Sequence, residues 1–134
     1  MSLHWSSRFV GWDVRGQCWR PVERAFAEDL GIIVPSYAEL RMPEIERAEL
    51  TRRAAEIGST APWHKVEPPL KRQDYDLVAF RNGQGLHVGL YAGDGLVLHA
   101  PEDAPCLHSR LAAQPWRGRL IGYWRHEALL GGVP

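Results

Sequence analysis

Cysteine is nearly absent: the 134 residues hold two, Cys18 and Cys106. Two thiols far apart in the chain are no disulfide framework, and in the cytoplasm a single bridge between them is not expected either. Metal-binding spacings are missing too. There is no CxxC and no HExxH, so no metal is expected. No apolar run approaches the roughly 18 residues that a membrane-spanning helix needs, so no membrane insertion is expected. The first residues, MSLHWSSRFVGWDV, lack the basic start and apolar block of a secretory signal. Synthesis in the cytoplasm is therefore expected, and work outside the cell would need another carrier. Charge of one sign is also lacking. Sixteen Lys and Arg balance sixteen Asp and Glu, so no net field favours nucleic acid or an anionic membrane.

What remains is a chain long enough to bury one core, 45% hydrophobic and 24% charged. It has no internal repeat and no low-complexity stretch. Residues 1–134 read as a single domain, with a helical half over about 1–73 and a sheet half over about 74–126. Trp19, Val22, Phe26 and Leu30 recur at spacings of three and four, which predicts a helix that starts at Gly16 to Cys18 and ends at Leu30. Pro21 is tolerable only in the first turn of that helix, and Gly31 should cap it in the left-handed conformation. A second, surface helix is predicted over 43–57, with Pro43 at its start and Gly58 past its end. STAPWHKVEPPLKRQ is polar and proline-rich, and reads as a loop. From Asp74 onward YDLVAF, LHVGLYA, LVLHA and LIGYWRH read as short strands, antiparallel because their links are short. The class is α+β.

Two histidines stand near the ends of LHVGLYAGDGLVLHA. Alternation puts Leu86, Val88 and Leu90 on one face and His87, Gly89 and Tyr91 on the other. A two-residue turn at Asp94-Gly95 would pair Leu90 with His99 and separate the imidazoles. A three-residue loop, Gly93-Asp94-Gly95, built as a type I turn closed by a left-handed glycine bulge, would pair Leu90 with Leu98. Only the second register keeps Leu86, Val88, Leu90, Leu96 and Leu98 on one face, and burial enforces such a register strongly. His87 and His99 are therefore expected to share a face, with Gly89 between them.

Cys18 adds a third group. A helix N-terminus and a nearby imidazolium both stabilise a thiolate, and Cys18 has the first if the helix begins where predicted. It would have the second if that N-terminus packs against His87. Cys106, His108, His64, His126 and His4 show no comparable constellation, and the four histidines are expected at the surface.

These residues resemble the NlpC-type cell-wall peptidases, papain-like cysteine enzymes that cut peptidoglycan stem peptides. HVGLYAGDGLVLHA is similar to that family's histidine hairpin, "HVGIY" followed by "vlHA". QCWRPVERAFAEDLGIIVP resembles the cysteine helix of the branch found in phage tails, where "DCWGLVR…GIELP" is typical. DYDLVAF is similar to "GDLVLF", and LIGYWRH to "i.GyyR". The likeness covers residues 11–30 and 74–125. It departs in three places: Gln17 stands for the aspartate before the cysteine, Arg20 for a glycine, and no tyrosine precedes the cysteine, Trp12 being the nearest aromatic residue.

The resemblance implies a papain-like fold, with an N-terminal helix carrying Cys18 packed on an antiparallel sheet carrying His87 and His99. It implies Cys18 as nucleophile and backbone oxyanion donor, His87 as general base and acid, and His99 as the group orienting His87. Trp12, Gln17, Trp19 and Arg20 are the candidate substrate contacts. No cofactor is expected. The implied partner is peptidoglycan, cut at the γ-D-glutamyl–diamino acid bond, with phage tail proteins as further partners and delivery by virion or lysis. Two other readings stay open: a tail or assembly protein that keeps the fold without turnover, favoured by Gln17 and Arg20, and a small amidase or acyltransferase of the same fold.

Overall fold

The apolar stripe forms the helix its spacing predicts. In the computed structural model, which describes residues 4–34, 63–68, 70–82 and 85–131, α1 spans Trp19–Ala25, with Cys18 as its N-cap and Pro21 in its first turn. Its path then widens into a π turn, Phe26–Leu30, and ends at Gly31, whose φ of 67° makes the expected left-handed cap. The wider turn is held from outside. Phe26 lies 5.6 Å from the Trp63 ring and 5.6 Å from His126, and the Tyr75 hydroxyl donates to Asp29 at 2.9 Å. A further one-turn 3-10 helix, Trp5–Phe9, was not visible in the sequence pattern.

Six strands form one antiparallel sheet: β1 Trp63–Lys65, β2 Leu77–Asn82, β3 Gly85–Tyr91, β4 Leu96–His99, β5 Leu107–Arg110 and β6 Leu120–His126. Their order is β1-β6-β2-β3-β4-β5. Four of the six follow the strands read from sequence. The other two are corrections. Both β1 and β5 are short pieces of proline-containing segments, and each becomes a strand by pairing with a neighbour's edge. Since β1 falls in the stretch expected to be loop, the sheet draws on both halves of the chain. The helix expected over 43–57 lies outside the described residues.

The hairpin has the register chosen above, with Leu90 opposite Leu98 and Tyr91 opposite Val97. Its turn is different. Leu96 N–H donates to Gly93 O at 2.9 Å around Asp94 and Gly95, whose φ values are 52° and 75°, the left-handed pair of a type I′ turn rather than a type I. The extra residue that shifts the register is Gly93, at φ 82°, on the other side of the turn from the predicted bulge. The two candidate geometries are thus combined: a tight Asp94-Gly95 turn and a glycine bulge.

Leu86, Val88, Leu90 and Leu98 join one buried cluster with Cys18, Trp19, Val22 and Phe26 of the helix. On the other side Val78, Phe80, Tyr91, Val97 and Leu111 make a smaller cluster, with Trp116 and Tyr123 against it. Asp76, fully buried, accepts from Arg125 Nε at 2.8 Å and Nη2 at 2.9 Å, and from Gln73 N–H at 2.8 Å. Burial pushes its carboxyl above the usual range while Arg125 pulls against that shift. This pair joins the start of β2 to β6. Among the described residues no helix is long and apolar enough to cross a membrane, and no disulfide joins Cys18 to Cys106.

Gly89 sets how closely β3 and β4 approach. A Cβ there would lie 2.6 Å from Leu98 O, 2.7 Å from Val97 Cγ2 and 2.9 Å from His99 Cβ. Backbone cannot yield as a side-chain tip does, so Gly89→Ala should destabilise the fold by about 1–3 kcal/mol. Urea unfolding of the variant against the parent measures this directly.

Candidate active site

The register brings the two imidazoles together. His87 Nε2 and His99 Nδ1 share a hydrogen bond of 2.8 Å, with side chains 4% and 1% exposed. His99 Nε2 bonds Ser109 Oγ at 2.7 Å, a partner supplied by the unforeseen strand β5. Burial pushes the His99 imidazole down to about 4, with the positive potential of His108 adding in the same direction. His99 is therefore neutral near pH 7 and carries one ring proton. With that proton on Nε2, donated to Ser109, Nδ1 accepts from His87 Nε2–H. His87 then keeps Nδ1 as a basic nitrogen. The reverse arrangement would put a proton on His87 Nδ1 and remove the base.

Trp116 closes this pair from above. Its ring stacks on His87, centroids 5.4 Å apart at 21°, meets His99 edge-on at 4.9 Å, and packs on Phe80 at 5.1 Å. Nothing in the sequence pattern marked Trp116 or Ser109. They follow a proline-containing segment and reach the site only because β5 and the turn after it fold back over β4.

The segment before Cys18 is stitched to the far end of β4. Gly16 N–H donates to Pro101 O at 3.0 Å, two residues beyond His99. Gly11 N–H donates to Cys106 O at 2.9 Å, and Cys106 N–H to Trp12 O at 2.8 Å. Val14, Ala100 and Cys106 fill the space between, with Trp12 against them. This carries the head of α1 toward the end of β4 where His99 stands, and α1 itself packs on β3, the His87 strand. Cys18 is buried, 2% exposed. Cys106 is a packing residue: burial pushes its thiol up to about 11, so it stays protonated and unreactive.

The four candidate substrate contacts separate. Trp12 and Arg20 line one open cleft of about 450 Å³ with Glu23 and Arg24. Gln17 is exposed, its carbonyl accepting from Arg20 N–H at 3.0 Å. Trp19, at 2% exposure, lies in the core with Val22 and Phe26, as its place in the apolar stripe predicts.

Two of the histidines expected at the surface are not there. His126 is 7% exposed, 5.4 Å from the Trp63 ring, and its Nδ1 accepts from Ala128 N–H. His108 is half-buried, with Nε2 2.8 Å from Ser6 Oγ. Ser6 Oγ in turn lies 2.8 Å from His4 Nδ1, and His4 Nε2 lies 3.0 Å from Asp74. That chain looks catalytic by composition, but the Ser6 side chain is fully buried, which makes it a latch between the N-terminal turn, β5 and the start of β2. His64 is exposed, as expected. Among the described residues no group of three His, Cys, Asp or Glu side chains is placed to hold a metal ion.

A sequence profile described as the NlpC/P60 family matches residues 9–125. The chain belongs to the NlpC/P60 family. Among curated proteins none matches it. Its family is one of cysteine peptidases and amidases acting on the bacterial cell wall, and the match encloses Cys18, His87 and His99. The α+β architecture, a helix against a six-stranded antiparallel sheet, agrees with that membership.

The neutral state of His99 in this NlpC/P60 domain has a consequence for stability. Between its ordinary value of 6.5 and its lowered value of about 4, the unfolded chain binds a proton that the folded chain refuses. Stability is therefore intact above pH 6.5 and falls as pH drops through that window. A shift of this size amounts to at most about 3 kcal/mol. His108 and His126, also lowered mainly by burial, contribute with the same sign. Urea unfolding between about pH 7 and about pH 5 should show this decline. His99→Asn should reduce the decline, leaving the part due to His108 and His126.

Proposed function

We propose that this protein is a cysteine peptidase that hydrolyses peptidoglycan stem peptides. The observation that carries the reading is the buried His87–His99–Ser109 hydrogen-bonded chain, at the sheet end toward which the head of α1 is stitched. Cys18, at the helix N-terminus, is the nucleophile, and the thiolate is favoured by the helix dipole and by an imidazolium at His87. The sulfur attacks the amide carbonyl carbon, and the Cys18 backbone N–H donates to the oxyanion. His87 gives its proton to the departing amine, which leaves an acyl-thioester. His87 then takes a proton from water, whose oxygen attacks the acyl carbon and expels the thiolate. His99 holds the His87 ring in the tautomer these steps need.

The bond proposed is the γ-D-glutamyl–diamino acid link, and the setting a phage tail that carries the domain to the wall. The bond rests on the likeness to NlpC-type peptidases, and the setting on the likeness of QCWRPVERAFAEDLGIIVP and LIGYWRH to the tail-associated branch. Arg20 favours a second reading. An exposed guanidinium in the cleft with Trp12, where the family pattern has glycine, would alter or block substrate access and suits a tail protein that keeps the fold without turnover.

Digestion of purified peptidoglycan followed by muropeptide mapping separates these readings. A peptidase should release fragments cut within the stem peptide. Cys18→Ala should abolish release, and His87→Ala should slow it by roughly 10²–10⁴-fold. Intact glycopeptides with every variant, together with an ordinary thiol titration at Cys18, would leave the non-enzymatic tail protein.

A further inference from the structure

The balanced charge of the chain breaks down locally. Between Asp103 and Glu127 there is no acidic residue, and Arg110, Arg117, Arg119 and Arg125 all fall in that stretch. Arg125 is engaged by Asp76. Arg110, the last residue of β5, meets Arg72 in a pocket of about 240 Å³ beside the hairpin turn, walled also by Asp94, Tyr123, Leu111 and Leu120. Arg72 is held in place there. Its guanidinium lies 4.9 Å from the Tyr91 ring centroid and 5.7 Å from that of Tyr123, and Nη1 donates to the Tyr123 hydroxyl at 2.8 Å. A guanidinium has five N–H donors, so others remain for a ligand. The backbone lining the pocket is fixed as well. Gly95 N–H donates to the Tyr91 hydroxyl at 2.9 Å, and Gly95 O accepts from Leu111 N–H at 2.9 Å. Arg110 is exposed, and among the described residues it holds no ion pair or side-chain hydrogen bond.

We propose that this pocket is an anion-binding site that takes one carboxylate or phosphate group of an extended ligand. Guanidinium groups bind both through paired N–H donors, and one already held flat loses little freedom on binding. Two arginines against the single carboxylate of Asp94 leave the lining positive, though weakly, which suits a singly charged group better than a dense polyanion. Leu111 and Leu120 offer an apolar wall to the ligand's adjoining carbons. The place of the pocket in the fold says what it serves. Tyr91 shares its face of β3 with His87, four residues along the strand, which is roughly 13 Å. Tyr91, Leu111, Trp116 and Tyr123 belong to one cluster, and Trp116 stacks on His87. A polymer running past Trp116 is therefore held at this pocket while its stem peptide lies at the His87 end. That use rests on the peptidase reading above; the pocket itself does not.

The first measurement needs no wall polymer. Acetate and inorganic phosphate are titrated at constant ionic strength while the Gly95 and Leu111 amides are followed by NMR, in the parent, Arg72→Gln, Arg110→Gln and Asp94→Asn. Saturable shifts at both amides are expected in the parent with at least one of the two anions. Each arginine variant should weaken that binding roughly tenfold. Asp94→Asn should tighten it, since asparagine tolerates the left-handed turn and removes a repelling charge. No saturation with either anion, or binding that Arg110→Gln leaves unchanged, would overturn the site. Arg110 lies outside the tyrosine stack, so a folding defect in Arg72→Gln leaves the test standing. The second measurement reads the use. Cys18→Ala protein is co-sedimented with purified sacculi, carrying either Arg72→Gln with Arg110→Gln or Arg15→Gln with Lys65→Gln, which removes equal charge elsewhere. Only the first pair should release the protein. Release after the carboxylates of the sacculi are amidated marks a carboxylate ligand, and release after phosphate polymer is stripped marks a phosphate. Equal behaviour of the two double variants would overturn the wall-holding role. Muropeptide mapping tests the peptidase reading separately, so the two failures are distinguishable.

Discussion

The pairing of Leu90 with Leu98 is the constraint on which the rest of the site depends. A slip of one residue would turn Leu98 out of the core beneath α1 and put His99 in its place, so the burial of four leucine and valine side chains holds the register. Holding it, they also place His87 and His99 within hydrogen-bonding distance on the opposite side. Gly89 lets the two strands close to that distance. Apolar burial, a non-directional force, thereby fixes a directional contact between two imidazoles.

That contact would have little chemical meaning without a second layer. Ser109 on β5 hydrogen-bonds His99 Nε2, and Trp116 covers the pair. Both belong to the segment after Cys106, whose backbone is bonded to Gly11 and Trp12 ahead of the cysteine helix. One set of backbone hydrogen bonds thus anchors the approach to Cys18 and the strand that completes the histidine pair. The inert thiol of Cys106 is conspicuous in sequence, yet its use is to pack where these two segments cross.

Tyr75 shows the same dependence on surroundings. Its φ of 71° is a left-handed value that favours glycine, and glycine is what the similar family strand carries before its aspartate. Here a tyrosine accepts the conformation because its ring stacks on Trp5 at 4.1 Å and its hydroxyl is held by Asp29. The next residue, Asp76, is buried against Arg125, so the turn into β2 is fastened at two consecutive positions.

The helix with its cap, four of the strands, the hairpin register and the shared face of His87 and His99 were legible in the sequence, because each follows from periodicity or from keeping apolar residues together. The hairpin's turn was read in the wrong conformation, since Gly93, Asp94 and Gly95 all tolerate positive φ and composition does not say which of them is the bulge. The strands β1 and β5 were not legible: three or four residues among prolines become a strand only when a neighbour's edge is there to pair with. For the same reason Ser109, Trp116 and the His4–Ser6–His108 latch were invisible. Local pattern and apolar burial, which the sequence alone determines, brought the two imidazoles to one face. What His99 bonds beyond His87, and what covers the pair, was decided only by tertiary structure, because those partners arrive from segments with no pattern of their own.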